Sequence, residues 1–551
     1  MPSNASAIPK QTRRRSGRLP DAFAIGILIV VALVAAFTFR DYGLGWDDFT
    51  HSQYAELLLA FYSSGFSDTR AFTFVNLYMY GGGFDMAAAL LAKISPFDLF
   101  ETRRLLGAAV GELGLFAIWR LGHRIAGPLA GLIALALLAT CPLYYGHMFI
   151  NPKDSPFAVM MAITLLGIVR AIEEYPRPAL GTWLLFGIGL GLSIGSRIMG
   201  GFAALYALAA LALIVAVEAS AYGARRSAAR LSGFLRAIVP SIIVAIAAMA
   251  LVWPWSVRDP LNLLKTVAYF SEFFEKPWRE LFAGKLILAP DMPRTYVPVL
   301  LGLQMPEILL GLATAGLAGV LAMAARPRTP ILRRAIFLVI ALASILPVAV
   351  AVVTRPAMYN GIRHLVFIVP PLALLGGLAG IYLLERARAY GQPVLVAAYA
   401  VLLAGLASPV IEMVRLHPYQ YVYFNHFAGG IRGAEGRYML DYWGLAFKTA
   451  SQEMREKIHA LGLRAEGGRH WKIAVCGPHP PAAIALGDQY DLTWESKGAD
   501  FAMMLGTFYC AKYDAPVLVE ITREGVVFAR VYDIRGRTFP SLFAFPPVKS
   551  D

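Results

Sequence analysis

Charge is scarce in this chain. Of its 551 residues only 16% are Asp, Glu, Lys or Arg, while 58% are hydrophobic. Soluble domains carry about a quarter charged residues, so a water-soluble globular protein is excluded. Cysteine is scarcer still. Three residues, Cys141, Cys476 and Cys510, cannot build a disulfide framework, although the last two share the C-terminal tail and could pair. Internal repeats and low-complexity tracts are missing, which removes solenoids and flexible linkers. No glycine-rich phosphate loop of either common spacing occurs, which removes the usual nucleotide cradles.

The chain instead abounds in long apolar runs. The mean hydropathy is +0.57. Runs able to span a bilayer, which takes roughly 17–25 residues, lie near 22–39, 104–120, 127–144, 156–171, 180–196, 199–217, 237–254, 305–324, 335–353, 364–384 and 393–411. The expected fold class is therefore an α-helical polytopic membrane protein of about eleven spans.

Basic residues set the direction of threading. A head bearing Lys10, Arg13, Arg14, Arg15 and Arg18 precedes the first run, and every second loop is basic: Arg120 and Arg124; Arg225, Arg226, Arg230 and Arg236; Arg326, Arg328, Arg333 and Arg334; Arg386 and Arg388. By the positive-inside rule these segments stay in the cytoplasm. The formal charge of +14 is thus a topology signal with contact to anionic lipid, and does not call for nucleic acid. No small-residue cleavage site follows the first run, so it reads as an uncleaved anchor. An odd number of spans puts the C-terminus outside.

Three regions follow from this reading: a cytoplasmic basic tail at 1–21, a transmembrane catalytic domain at 22–441, and an extracytoplasmic α/β domain at 442–551. Two outer loops are long, 40–102 and 255–303. The second contains an amphipathic stretch, Leu261 to Phe274, with Lys265, Glu272 and Glu275 on its polar side, which suits a helix in the membrane interface. In the tail, helix-like 446–461 precedes β-like stretches at 471–475, 501–505, 517–521 and 526–532.

Candidate chemistry gathers on the outer side. Asp47 and Asp48 are adjacent, with His51 one helical turn beyond. A carboxylate there can take a proton from an attacking hydroxyl or hold a divalent metal, although Asp48 could equally cap a helix that begins after it. The outer turn from His147 to Pro156 supplies His147, Lys153 and Asp154. Cations at outer helix ends run against the inside rule and want an anionic partner. These are Arg197, Arg355 and Arg363, with Tyr359 and His364 beside the last two. A further aromatic stretch offers His417, Tyr419 and Asn425 as a sugar or headgroup platform.

In this order these residues resemble the family-39-like glycosyltransferases of the GT-C fold. That group includes protein O-mannosyltransferases, aminoarabinose transferases acting on lipid A, and rhizobial lipopolysaccharide galacturonosyltransferases. The resemblance runs over roughly 20–445. It rests on the acidic pair after the first span, the turn Asn151 to Pro156, the Arg197 hairpin and the stretch Tyr359 to Pro371. It implies transfer of a sugar from a polyprenyl-phosphate-linked donor to an extracytoplasmic lipid, glycan or protein, with inversion. By position, Asp47 matches the acid that orients or deprotonates the acceptor, Asp154 the acid of the second outer loop, and Arg197 a cation near the donor phosphate. The family often has Asp-Glu where this chain has Asp47-Asp48. A divalent metal is an open option, since metal dependence varies across the group. The expected setting is a bacterial inner membrane, N-terminus in the cytoplasm and C-terminal domain in the periplasm. The rival reading is a secondary transporter or lipid flippase, which calls for broken helices and ionisable residues at mid-membrane.

Overall fold

The computed structural model of the chain describes residues 18–271 and 279–545. Lys10, Arg13, Arg14 and Arg15 of the basic head, and Glu272, Phe274 and Glu275 of the amphipathic stretch, lie outside the described residues.

Lipid cannot hydrogen-bond a backbone, so long apolar runs close their own bonds as helices. Among the described residues nine helices are long and apolar enough to cross a membrane: Arg18–Thr38, Leu99–Ala126, Asp154–Glu173, Ile198–Tyr222, Ala224–Val252, Glu307–Ala325, Ile331–Thr354, Arg363–Ala389 and Gln392–Leu416. A tenth is a pair, Pro128–Ala139 and Pro142–Ile150, bent by 63° at the break. Pro142 lacks an N–H and drives Cys141 out of helical backbone, which breaks the run there. One of the eleven expected runs remains. Leu180–Ser196 has 17 residues, about 25 Å of helix and the lower limit for a span, and it runs back along Asp154–Glu173 to bring Arg197 beside Asp154. It packs between Asp154–Glu173 and Ala224–Val252. Gly191 permits that approach, since a Cβ there would overlap the Ala245 carbonyl oxygen.

The two long outer loops fold over one end of the bundle. The first forms the helices Trp46–Ser63 and Gly83–Ala92. Trp46–Ser63 begins before the acidic pair, with Gly45 at its N-cap position and no side-chain cap. Asp48 is therefore not the cap that a later helix start would have made it. The second loop carries the short helix Asn262–Ser271, then an antiparallel hairpin of Arg279–Phe282 with Lys285–Leu288, then the helix Tyr296–Gln304. The hairpin was not expected. Its turn, Ala283-Gly284, takes positive φ at both residues, as a tight two-residue hairpin turn requires.

The C-terminal region builds a five-stranded sheet in the order Tyr490–Thr493, Trp471–Cys476, Phe501–Leu505, Val526–Asp533, Val517–Arg523. The first three strands are parallel to one another, and the remaining pairs are antiparallel. The four expected strands and the helix Ala446–Ala460 form. The helix His479–Leu486 and the edge strand Tyr490–Thr493 were not expected, because two adjacent prolines and four mixed residues give little periodicity. Tyr419 fastens this domain to the bundle: its ring stacks on Phe528 at 4.9 Å, and its hydroxyl lies 3.0 Å from Thr449. Cys476 and Cys510 are joined in a disulfide, while Cys141 is free and buried. Denatured under non-reducing conditions, the protein should expose one thiol to a maleimide reagent, and three after reduction. Three thiols without reductant would refute the disulfide.

Candidate active site

Neighbouring residues on a helix point about 100° apart, so the acidic pair divides. Asp48 turns inward, and its carboxylate accepts a hydrogen bond from Arg103 Nε at 2.9 Å. The same guanidinium donates to Asp85 at 2.7 Å, and Asp85 lies 2.7 Å from His51 Nδ1. All four side chains are buried. Asp48 and His51 are thereby committed to a closed ionic network that ties the outer helices Trp46–Ser63 and Gly83–Ala92 to the span Leu99–Ala126. Neither is free for the roles that sequence suggested.

Asp47 turns the other way. Its side chain keeps 28% of its exposure, with Lys153 Nζ at 3.8 Å and Arg363 Nη1 at 3.4 Å. Arg363 Nη1 also lies 3.4 Å from one oxygen of Asp154, while Arg197 pairs with the other. Asp154 is 1% exposed. Two acids and three cations from four chain segments thus form one chain of ion pairs at the outer end of the bundle. Asn151 fixes the turn beneath them, its side-chain oxygen accepting the N–H of Asp154 at 2.7 Å and of Lys153 at 3.2 Å. Tyr80 supplies a face for two of the cations, with Lys153 Nζ 4.4 Å and the Arg197 guanidinium 5.5 Å from its ring centre. It can sit so close because Gly81 follows: a Cβ at Gly81 would overlap the Gly195 carbonyl oxygen. Tyr80 was not singled out from sequence, although the glycine triplet after it was the signal available.

Burial alone would raise the Asp47 carboxyl, but Lys153, Arg363 and His51 together outweigh it and hold the group below its ordinary range. Lys153 moves the opposite way. Burial pushes its ammonium down to about 8, against the favourable pull of Asp47. The site therefore holds an ionised carboxylate at neutral pH beside a lysine that loses charge just above it.

Three other expected residues lie close by. Arg363 packs over Tyr359 at 5.0 Å, Tyr359 meets the His364 ring at 5.0 Å, and His147 Nε2 lies 3.5 Å from the Tyr442 hydroxyl. The remainder are elsewhere. Arg355 is exposed and bonds the carbonyl oxygen of Met292. His417 lies 2.8 Å from Asp41, Tyr419 joins the two domains, and Asn425 donates to the carbonyls of Gly302 and Met305. Their polar atoms hold chain segments together, so the platform expected from them is corrected. Aromatic residues at a domain boundary look alike in sequence whether they bind a ligand or a neighbouring domain.

A residue that sequence reasoning passed over is Glu280, in the unexpected hairpin. Its Oε1 accepts the Asn360 N–H at 2.9 Å and lies 3.2 Å from the Tyr296 hydroxyl, which is also 3.2 Å from the Gly361 carbonyl. Burial pushes its carboxyl up to about 8. Glu280 pins Asn360 and Gly361, both at positive φ, and so fixes the loop that presents Arg363. Asp47 and Arg363 also line a cavity of about 480 Å³ between the bundle and the C-terminal domain, walled by Trp46, Tyr442, Trp443 and Trp494 among others.

A divalent metal does not fit this donor set. Among the described residues no three His, Cys, Asp or Glu converge, and both acids are already shared with cations.

Residues 84–243 match the family described as Dolichyl-phosphate-mannose-protein mannosyltransferase, a stretch well under half of the chain. The apo oligosaccharyltransferase of Archaeoglobus fulgidus superposes over 85% of this chain and 64% of its own, with a TM-score of 0.50 and 11% identity. The chain has the GT-C fold. Apo ArnT from Cupriavidus metallidurans covers 93% of this GT-C chain and 97% of its own at 14% identity, with a TM-score of 0.48. Comparison with curated proteins finds no match. This chain spans about 64% of the archaeal enzyme's length, so the likeness carries the arrangement of helices and not that protein's reaction.

Lys153 offers a direct test of the site's electrostatics. Its acylation by acetic anhydride, followed by peptide mass spectrometry, should rise through a midpoint near pH 8. In Asp47→Asn the midpoint should fall, because the anion that favours the ammonium is gone. A midpoint near 10, unmoved by that substitution, would contradict the arrangement.

Proposed function

We propose that this chain is a membrane glycosyltransferase that moves a sugar from a polyprenyl-phosphate-linked donor to an extracytoplasmic acceptor, with inversion at the anomeric carbon. The observation that carries this reading is the frame of Lys153, Arg197 and Arg363 around Asp47 and Asp154, three cations against two anions. The excess positive charge suits a phosphate held at the membrane edge. The family matched over 84–243 is named for a lipid-phosphate sugar, which supports the same donor class.

The reaction needs little beyond this. The donor phosphate sits against Lys153, Arg197 and Arg363, with Tyr80 backing two of them. An acceptor hydroxyl attacks the anomeric carbon on the face opposite the phosphate. The bond from that carbon to the phosphate oxygen breaks, and the polyprenyl phosphate leaves with the electron pair, its charge met by the cations. The hydroxyl proton passes to Asp47, the partly exposed acid that is ionised at neutral pH. Asp154, buried between two arginines, orients the cations and takes no proton.

The proposed setting is a bacterial inner membrane, with the N-terminus in the cytoplasm and the C-terminal domain in the periplasm. Support comes from the basic loops remote from the site and from the Cys476–Cys510 disulfide, since such bonds persist in oxidising compartments.

In proteoliposomes supplied with a polyprenyl-phosphate sugar, Asp47→Asn should lower kcat by about 10²–10⁴-fold with donor KM little changed. Asp154→Asn should instead raise donor KM as well, because both guanidiniums lose their anchor. Undiminished transfer by Asp47→Asn would remove it from the mechanism.

A further inference from the structure

Asp47 and Arg363 each face two ways. On one side they meet Lys153 and Asp154, with Arg197 and Tyr80 adjoining. On the other they line the 480 Å³ chamber beneath the C-terminal domain, to which Lys153, Asp154, Arg197 and Tyr80 do not contribute. The proposed base therefore stands on the partition between a cationic compartment and a second one. In an inverting displacement the nucleophile arrives from the face opposite the leaving phosphate, which makes the second compartment the acceptor's.

Its lining is largely aromatic, with Asp47, Arg279, Glu280 and Arg363 as its charged residues. The C-terminal domain contributes Trp443, Trp494, Phe508, Tyr509, Phe543 and Phe545, and the outer helix Trp46–Ser63 contributes Trp46. Trp494 remains 56% exposed and Phe545 42%, although each borders the chamber. Trp494 is held flat, stacked on His479 at 3.4 Å between ring centres and parallel to Phe543 within 22°. Tyr359, Asn360, Tyr442 and Tyr509 line it too. Flat aromatic faces next to neutral hydrogen-bonding groups suit a pyranose ring, whose C–H face stacks while its hydroxyls bond at the edge.

We infer that this chamber is the binding site for a sugar ring of the acceptor, with Trp494 of the C-terminal domain as its stacking platform. The acceptor class is then a glycan or glycolipid, and the small domain selects it. This inference rests on the glycosyltransferase reading above, which left lipid, glycan and protein acceptors open.

The test uses the full chain in proteoliposomes, a panel of polyprenyl-phosphate hexoses and pentoses, and three acceptors: lipopolysaccharide, phosphatidylglycerol and a Ser/Thr-rich peptide. Label should enter the lipopolysaccharide. Trp494→Ala should raise the lipopolysaccharide KM about tenfold with donor KM unchanged, and Trp494→Phe, which keeps a stacking face, should stay within about threefold of wild type. Trp494 is more than half exposed, so neither substitution opens a core. Label in the peptide or the sugar-free lipid, or a wild-type KM in Trp494→Ala, overturns the sugar platform and leaves the glycosyltransferase reading standing. Absence of transfer to all three overturns both.

Discussion

The buried carboxylate of Asp154 is the constraint on which the rest of the site depends. It reaches Arg197 with one oxygen and Arg363 with the other, and these guanidiniums arrive from helix ends far apart in sequence. A buried ion pair gains little for stability once its desolvation is counted, but removal of one partner strands a charge and is severe. Such an arrangement is better suited to fixing geometry than to holding a fold together. Here it fixes two buried cations at the outer end of an apolar bundle, close to the partly exposed Asp47.

The neighbouring network of Asp48, Arg103, Asp85 and His51 does a related job at one remove. It anchors the helix that carries Asp47 against the span Leu99–Ala126. From the other side, Glu280 and Tyr296 hold the Asn360-Gly361 turn from which Arg363 extends. Asp47 and Arg363 are therefore supported by separate clamps and meet at 3.4 Å. Preorganisation of this kind suits a reaction in which charge moves from a scissile bond onto a departing phosphate.

Sequence reached much of this because the bilayer imposes strong patterns. Apolar runs marked most spans, and charged residues at the ends of those runs are costly enough to draw notice, which is how Asp47, Lys153, Asp154, Arg197 and Arg363 were found. The run 180–196 formed its helix at the expected bounds, but the break at Cys141 was missed, since hydropathy registers apolar length and not bending. The division of Asp47 from Asp48 was also hidden, because it turns on Arg103, which lies 55 positions after Asp48. His417, Tyr419 and Asn425 misled for a similar reason: their partners belong to other segments. Glu280 gave no signal because the hairpin that buries it has only four residues in each strand.

The most direct measurement of the central claim is the affinity of the full chain for a polyprenyl phosphate without sugar, in wild type and in Arg363→Met and Lys153→Met. If the three cations form a phosphate seat, each substitution should weaken binding by about tenfold or more at neutral pH. Lys153→Met should also abolish the loss of wild-type affinity as pH rises through about 8. Binding that is equal in all three proteins, at every pH, would contradict a phosphate seat at this site.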